Sequence, residues 1–103
     1  MSDGDSATMA LRRAEGILKA LANRRRLRLL LALWAREMHV GALAEDLRLP
    51  LKAVSRHLRL LERAGLVLSE PHQGHVYYRV SSNKPPLAEG VLAKIDTNDP
   101  LRL

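Results

Sequence analysis

Residues 40–80 read VGALAEDLRLPLKAVSRHLRLLERAGLVLSEPHQGHVYYRV, and the punctuation of this stretch decides the fold. Two short runs with helical spacing flank the Leu49-Pro50 step. The first, Gly41 to Arg48, is built around Leu43, Ala44 and Leu47, and the second, Leu51 to Ala64, gathers Val54, Leu58 and Leu61 on one side. Pro50 stands at a helix start, where the N–H it lacks would have no partner. Gly65 stands where a helix closes through a left-handed residue. Beyond it, Leu66–Glu70 and His75–Val80 alternate as two strands, and Pro71-His72-Gln73-Gly74 closes the hairpin.

Outward from that stretch the chain is mostly helical. Residues 1–6 read as a disordered N-terminal tail. From Thr8 to Ala20 the pattern of Ala10, Ala14, Ile17 and Leu18, continued by Leu21, predicts a helix. Asn23 is placed to cap a second helix, Arg24 to about Arg36, whose stripe of Leu27, Leu30, Leu31 and Trp34 is widened by Leu29, Ala32 and Leu33. A helix apolar on most sides must be covered on most sides, so this is the central one. Met38 to Val40 predicts a very short strand, Ser82 to Pro86 a loop, and Leu87 to Ile95 a last amphipathic helix, with residues 96–103 frayed. The expected architecture is mainly α with a small β-hairpin: a winged helix-turn-helix of about five helices plus a two-stranded wing. The domain spans 7–82, and 83–103 form a C-terminal loop and short helix.

Composition narrows the function. A chain of 103 residues supports one modest core and often completes it against a second copy. The net charge of +6 favours an anionic partner, and it is unevenly placed. Residues 21–36 carry five arginines and no acid, and 51–80 carry five basic residues against two acidic ones. With no Cys, disulfides and thiolate metal sites are excluded. The N-terminus is acidic where a signal peptide would be basic, and the longest apolar run, Leu29 to Ala35, is far short of a membrane span, so a cytoplasmic location is expected. Ser55 and His57 lie two apart on a helix and point in different directions, so they form no nucleophile–base pair. No phosphate loop or HExxH pattern occurs, so the chain is read as no enzyme.

In a helix-turn-helix the two helices touch closely. Ala44 supplies the small residue this requires, and Val54 the apolar plug between them. The outward face of the second helix then carries Lys52, Ser55, Arg56 and Arg59. Arg can pair bidentately with guanine, Ser can read a base or a phosphate, and Lys neutralises phosphate. Helix, turn, helix and wing in this order suit a helix laid in a DNA major groove.

Across residues 10–82 the chain resembles the ArsR-type winged helix-turn-helix regulators of bacteria and archaea. The matching pieces are ILKALANRRRLRLLLAL, HVGALAEDLRLPLKAVSRHLRLLERAGLVLSE and HVYYRV, and the run from Ser55 to Val67 is the most specific. The resemblance implies a homodimeric, sequence-specific repressor that binds a double-stranded operator. Carried over by position, Lys52, Ser55, Arg56, His57 and Arg59 fall in the recognition helix 51–64, and His72, Gln73, His75 and Arg79 in or beside the wing, 69–80. The first and last helices would form the subunit interface, which places Ile17, Leu18, Leu21, Leu87, Val91, Leu92 and Ile95 there. His57 either lies beside DNA or packs under its helix, and Arg24 to Arg26 either touch flanking phosphates or are solvated.

Two departures from the family pattern stand out. The family commonly has Gly before the Leu-Pro step where this chain has Arg48, and a left-handed backbone there would cost roughly 1–2 kcal/mol. Many relatives sense metals through cysteines in the third helix or histidines in the last; this chain has neither, so no metal site and no cofactor are expected. His72 and His75 alone make a weak chelating pair, and His39 is expected to be structural. Two other functions compete with operator binding: a winged-helix protein-interaction module, and a sensor with a non-thiolate effector site. The sequence names no effector.

Overall fold

The computed structural model describes residues 2–95, in the order α1 (Ser2–Leu21), α2 (Arg24–Ala35), β1 (Met38–His39), α3 (Val40–Leu47), α4 (Leu51–Arg63), β2 (Val67–His72), β3 (His75–Val80) and α5 (Pro86–Ala93). Residues 96–103, expected to fray, lie outside the described residues.

The first helix starts earlier than its apolar pattern. Residues 2–6, expected as a tail, continue α1, with the Thr8 hydroxyl donating to the Gly4 carbonyl at 2.8 Å. Asp5 supplies negative charge near the positive end of the helix dipole, which a reading of apolar spacing alone overlooks.

Asn23 caps α2 as expected, its side chain accepting from the Arg26 amide at 3.1 Å. This helix is the hub, packing on α1, α3, α4 and β3. Its buried residues are Leu29, Leu30 and Leu33, so the inward stripe is rotated from the expected one. Leu27 and Leu31 are half-buried, and Trp34 is exposed with Lys84 Nζ 5.1 Å from its ring centroid. Beside Trp34 a groove of about 630 Å³ runs between α2 and α5, with Leu31, Leu92 and Ile95 in its walls.

The helix-turn-helix closes both of its helices in the same way. At the end of α3, Leu49 N–H donates to Ala44 O and Arg48 N–H to Glu45 O, with Arg48 left-handed at φ 55°. At the end of α4, Leu66 N–H donates to Leu61 O and Gly65 N–H to Glu62 O, with Gly65 at φ 80°. Each is a Schellman closure, which satisfies carbonyls that the helix leaves unpaired.

The short strand Met38–His39 joins the wing rather than standing alone. It pairs antiparallel with β3, Met38 opposite Tyr78 and His39 opposite Tyr77, so the two-stranded wing is a three-stranded sheet in the order β1-β3-β2. The hairpin itself pairs Val67 with Val80 through His72 with His75. Its loop is the two residues Gln73 and Gly74, both at positive φ, which matches the right-handed twist of the flanking strands. Pro71 lies within β2 on the edge of the sheet, where its missing N–H is not needed.

Candidate nucleic-acid interface

On α4 the two faces separate cleanly. At 100° per residue, Val54, His57, Leu58 and Leu61 fall within an arc of about 100°, and Lys52, Ser55, Arg56 and Arg59 fall within the opposite arc. The first four are buried; Lys52, Arg56 and Arg59 are exposed and Ser55 is half-buried. Arg63, one turn beyond Arg59, lies on the same arc and is exposed. It was absent from the expected set, although the helical period reaches it.

His57 departs from the expected set in the other direction. It is 6% exposed and packs under its helix, where Nδ1 lies 3.2 Å from Arg26 Nη1. Burial first, then the charges of Arg26, Arg56 and Arg25, hold its pKa below the ordinary 6.5. The apolar period had marked Val54, Leu58 and Leu61 as inward, and histidine carries no such mark. Of the second helix's leading arginines, Arg24 and Arg25 are exposed, while Arg26 is half-buried and engaged.

Arg28 joins α2 to the turn by donating from Nη2 to the Leu47 carbonyl at 3.1 Å, while its buried Nε has no partner among the described residues. The Leu47 carbonyl lies in the last turn of α3, where intrahelical donors run out.

The wing is anchored at both ends. Ser69 Oγ donates to Glu62 Oε2 at 2.6 Å, which fixes β2 to the end of α4. Tyr78 is buried in the same joint, and burial followed by the Glu62 carboxylate raises its pKa above 10.0. On the other side His39 Nδ1 accepts from Ala42 N–H at 3.3 Å, capping α3, and the His39 ring stacks on His75 at 4.7 Å between centroids. His39 is therefore structural. His72, Gln73, His75 and Arg79 are all exposed, but His75 is spent on that stack. Ser69 and Glu62 escaped sequence reasoning because neither marks a turn or a face. Among the described residues no three His, Asp or Glu side chains converge on a point where a metal would sit.

The expected subunit surface divides. Ile17, Leu21 and Leu92 are buried in the protomer's own core. Leu18 is 50% exposed and Leu87 40%, while Val91 and Ile95 are half-buried. Leu11, 71% exposed and outside the expected set, lies two turns before Leu18 on the same side of α1. The cause is that α1 packs on α2 and α5, which claims Ile17 and Leu21 for the interior.

A helix with opposed apolar and cationic faces, preceded by a tight turn and followed by an anchored hairpin, defines a winged helix-turn-helix. The family model described as bacterial regulatory protein, arsR family, matches residues 23–69. The chain is 43% identical over 68 residues to the transcriptional activator HlyU of Vibrio cholerae, a match covering 66% of this chain and 63% of HlyU. It is 38% identical over 86 residues to the nodulation protein NolR of Rhizobium meliloti, covering 84% of this chain and 70% of NolR. Among solved structures it is similar to the homodimeric winged helix-turn-helix DNA-binding domain of a Mycobacterium bovis protein, at TM-score 0.76 and 30% identity, covering 86% of this chain and 80% of that one. The chain belongs to the arsR family of bacterial regulatory proteins. That family is one of bacterial regulatory proteins, and HlyU is a transcriptional activator. No helix of the described residues is long and apolar enough to cross a membrane.

Proposed function

We propose that the protein is a homodimeric, sequence-specific DNA-binding regulator of the bacterial or archaeal cytoplasm, acting as a repressor on a double-stranded operator. The observation that carries this reading is the cationic arc of α4, set opposite its buried face and beside the wing. Arg56 reads base edges; Lys52, Ser55 and Arg59 contact phosphates or flanking bases; Gln73, His72 and Arg79 bring the wing to the backbone or minor groove. His57 supports α4 from beneath and touches no DNA. Leu11 and Leu18 of α1, with Leu87, Val91 and Ile95 at the other end of the chain, form the contact between subunits. A two-fold then sets the recognition helices about 10 bp apart. Repression follows from occupancy, since the two specialised faces of the fold are spent on DNA and on a second copy.

The test is selection of a duplex from a randomised pool, followed by binding titrations across salt. Affinity should fall steeply as salt rises. Arg56→Ala should cost about 1–3 kcal/mol and relax discrimination at one position, whereas Lys52→Ala should weaken all duplexes alike. Equal binding to every duplex, or an Arg56→Ala protein with intact specificity, would refute the reading. A reporter that rises when the protein binds upstream would refute repression alone.

A further inference from the structure

Between α1 and the C-terminal half of α4 lies a groove of about 280 Å³, walled by Gly16, Ala20, Leu60 and Ala64. Three of these four side chains are too small to fill it, so packing does not hold α4 against α1 there. Lys19 and Arg63 line the groove as well, but it is Arg26 of α2 whose hydrogen bonds reach both helices.

We infer that Arg26 is a positioning residue for the recognition helix, joining the end of α1 to the underside of α4 through His57. The inference rests on the reading of α4 as the DNA-contacting helix. Arg26 Nε donates to Ala20 O at 2.6 Å and Nη2 to Lys19 O at 3.0 Å, two carbonyls in the last turns of α1. The third nitrogen, Nη1, faces His57 Nδ1 at 3.2 Å. A guanidinium has no acceptor, so Nδ1 must accept, and the ring proton sits on Nε2. The geometry requires neutral His57; a protonated ring would present a donor to a donor.

The arrangement is specific to arginine. Three donors in one plane meet three acceptors on two helices, a task that the single ammonium of lysine does not reproduce. The backbone of Arg26 is itself held by the Asn23 cap, so the fork is rigid at its base. His57 lies on the buried arc of α4 just below Arg56, and its height sets the height of the cationic arc. Arg26 thereby couples the helix that carries Leu11 and Leu18 to the helix that reads DNA.

The experiment compares the parent protein with Arg26→Lys and His57→Leu, using the duplex selected from the random pool, an unrelated duplex, light scattering for subunit association, and amide hydrogen exchange. Arg26→Lys keeps the net charge, so affinity for the unrelated duplex should hold. Affinity for the selected duplex should fall about tenfold, with faster exchange along α4 and association unchanged. His57→Leu removes only the acceptor, leaves the α1 contacts, and should show the same loss of discrimination should Arg26→Lys fail to fold. Parental discrimination with unchanged α4 exchange in the folded variant overturns the proposal. If the parent binds all duplexes alike, the DNA reading falls by itself, and α4 exchange decides the link: faster exchange upholds it, unchanged exchange overturns it.

Discussion

The ends of α3 and α4 are built to one plan from different residues. Both close with the same pair of backbone hydrogen bonds around a left-handed residue, Gly65 in one case and Arg48 in the other. Glycine adopts that conformation freely, whereas arginine sits there at a cost of about 1–2 kcal/mol. The turn nevertheless forms, because its geometry is imposed from outside. Leu43 and Val54 are both fully buried where α3 and α4 pack, and the Leu47 carbonyl is held by Arg28. Local preference sets the end of α4, and tertiary packing sets the end of α3.

This contrast can be broken most forcefully at the residue after each left-handed position. Leu66 is buried and Leu49 only half-buried. Leu66→Ala should cost about 2–5 kcal/mol in denaturant unfolding, and Leu49→Ala clearly less. Equal losses would mean that both closures depend on the same burial. Next in size, Gly65→Ala should destabilise by about 1–2 kcal/mol through backbone strain alone, since beyond its chain neighbours no described residue lies within 4 Å of the added methyl. At Arg48 the sign reverses: Arg48→Gly relieves strain but frees the unfolded chain, for a net gain of about 0.5–1 kcal/mol. A loss on Arg48→Gly would show that the arginine side chain, exposed in the structure, holds the turn by some contact.

The smallest effect is an acid sensitivity centred on α4. The folded protein keeps the His57 pKa below 6.5, so unfolded chains take up that proton first. The stability from neutral His57 is complete above that value and declines as pH falls beneath it. Unfolding at about pH 7.5 and about pH 5.5 should therefore separate parent from His57→Gln, with the variant losing less on acidification. Identical losses would show that His57 does not carry the acid response.

Much of the recognition half was legible because its signals are local. The Leu-Pro step, Gly65, a turn within Pro71–Gly74 (found to be only Gln73-Gly74, since β2 runs on to His72) and the periods of Val54, Leu58 and Leu61 each act within a few residues. Three features were hidden because their causes are distant. His57 could not be assigned inward until Arg26, far away in the chain, was seen beside it. The Met38–His39 strand was visible, but its pairing with Tyr77 and Tyr78 was not. The leucines of α1 and the last helix share one pattern, and only the packed structure shows that Ile17, Leu21 and Leu92 turn inward while Leu11, Leu18 and Leu87 remain outside.

Trp34, the single indole of the chain, carries a practical consequence. It is 41% exposed at the rim of the groove beside α5, with an ammonium above its ring. Its emission colour and its accessibility to iodide give an optical gauge of that end of the molecule, with no label attached. Anything that settles over α5 should shift the spectrum to the blue and shield the ring from the quencher.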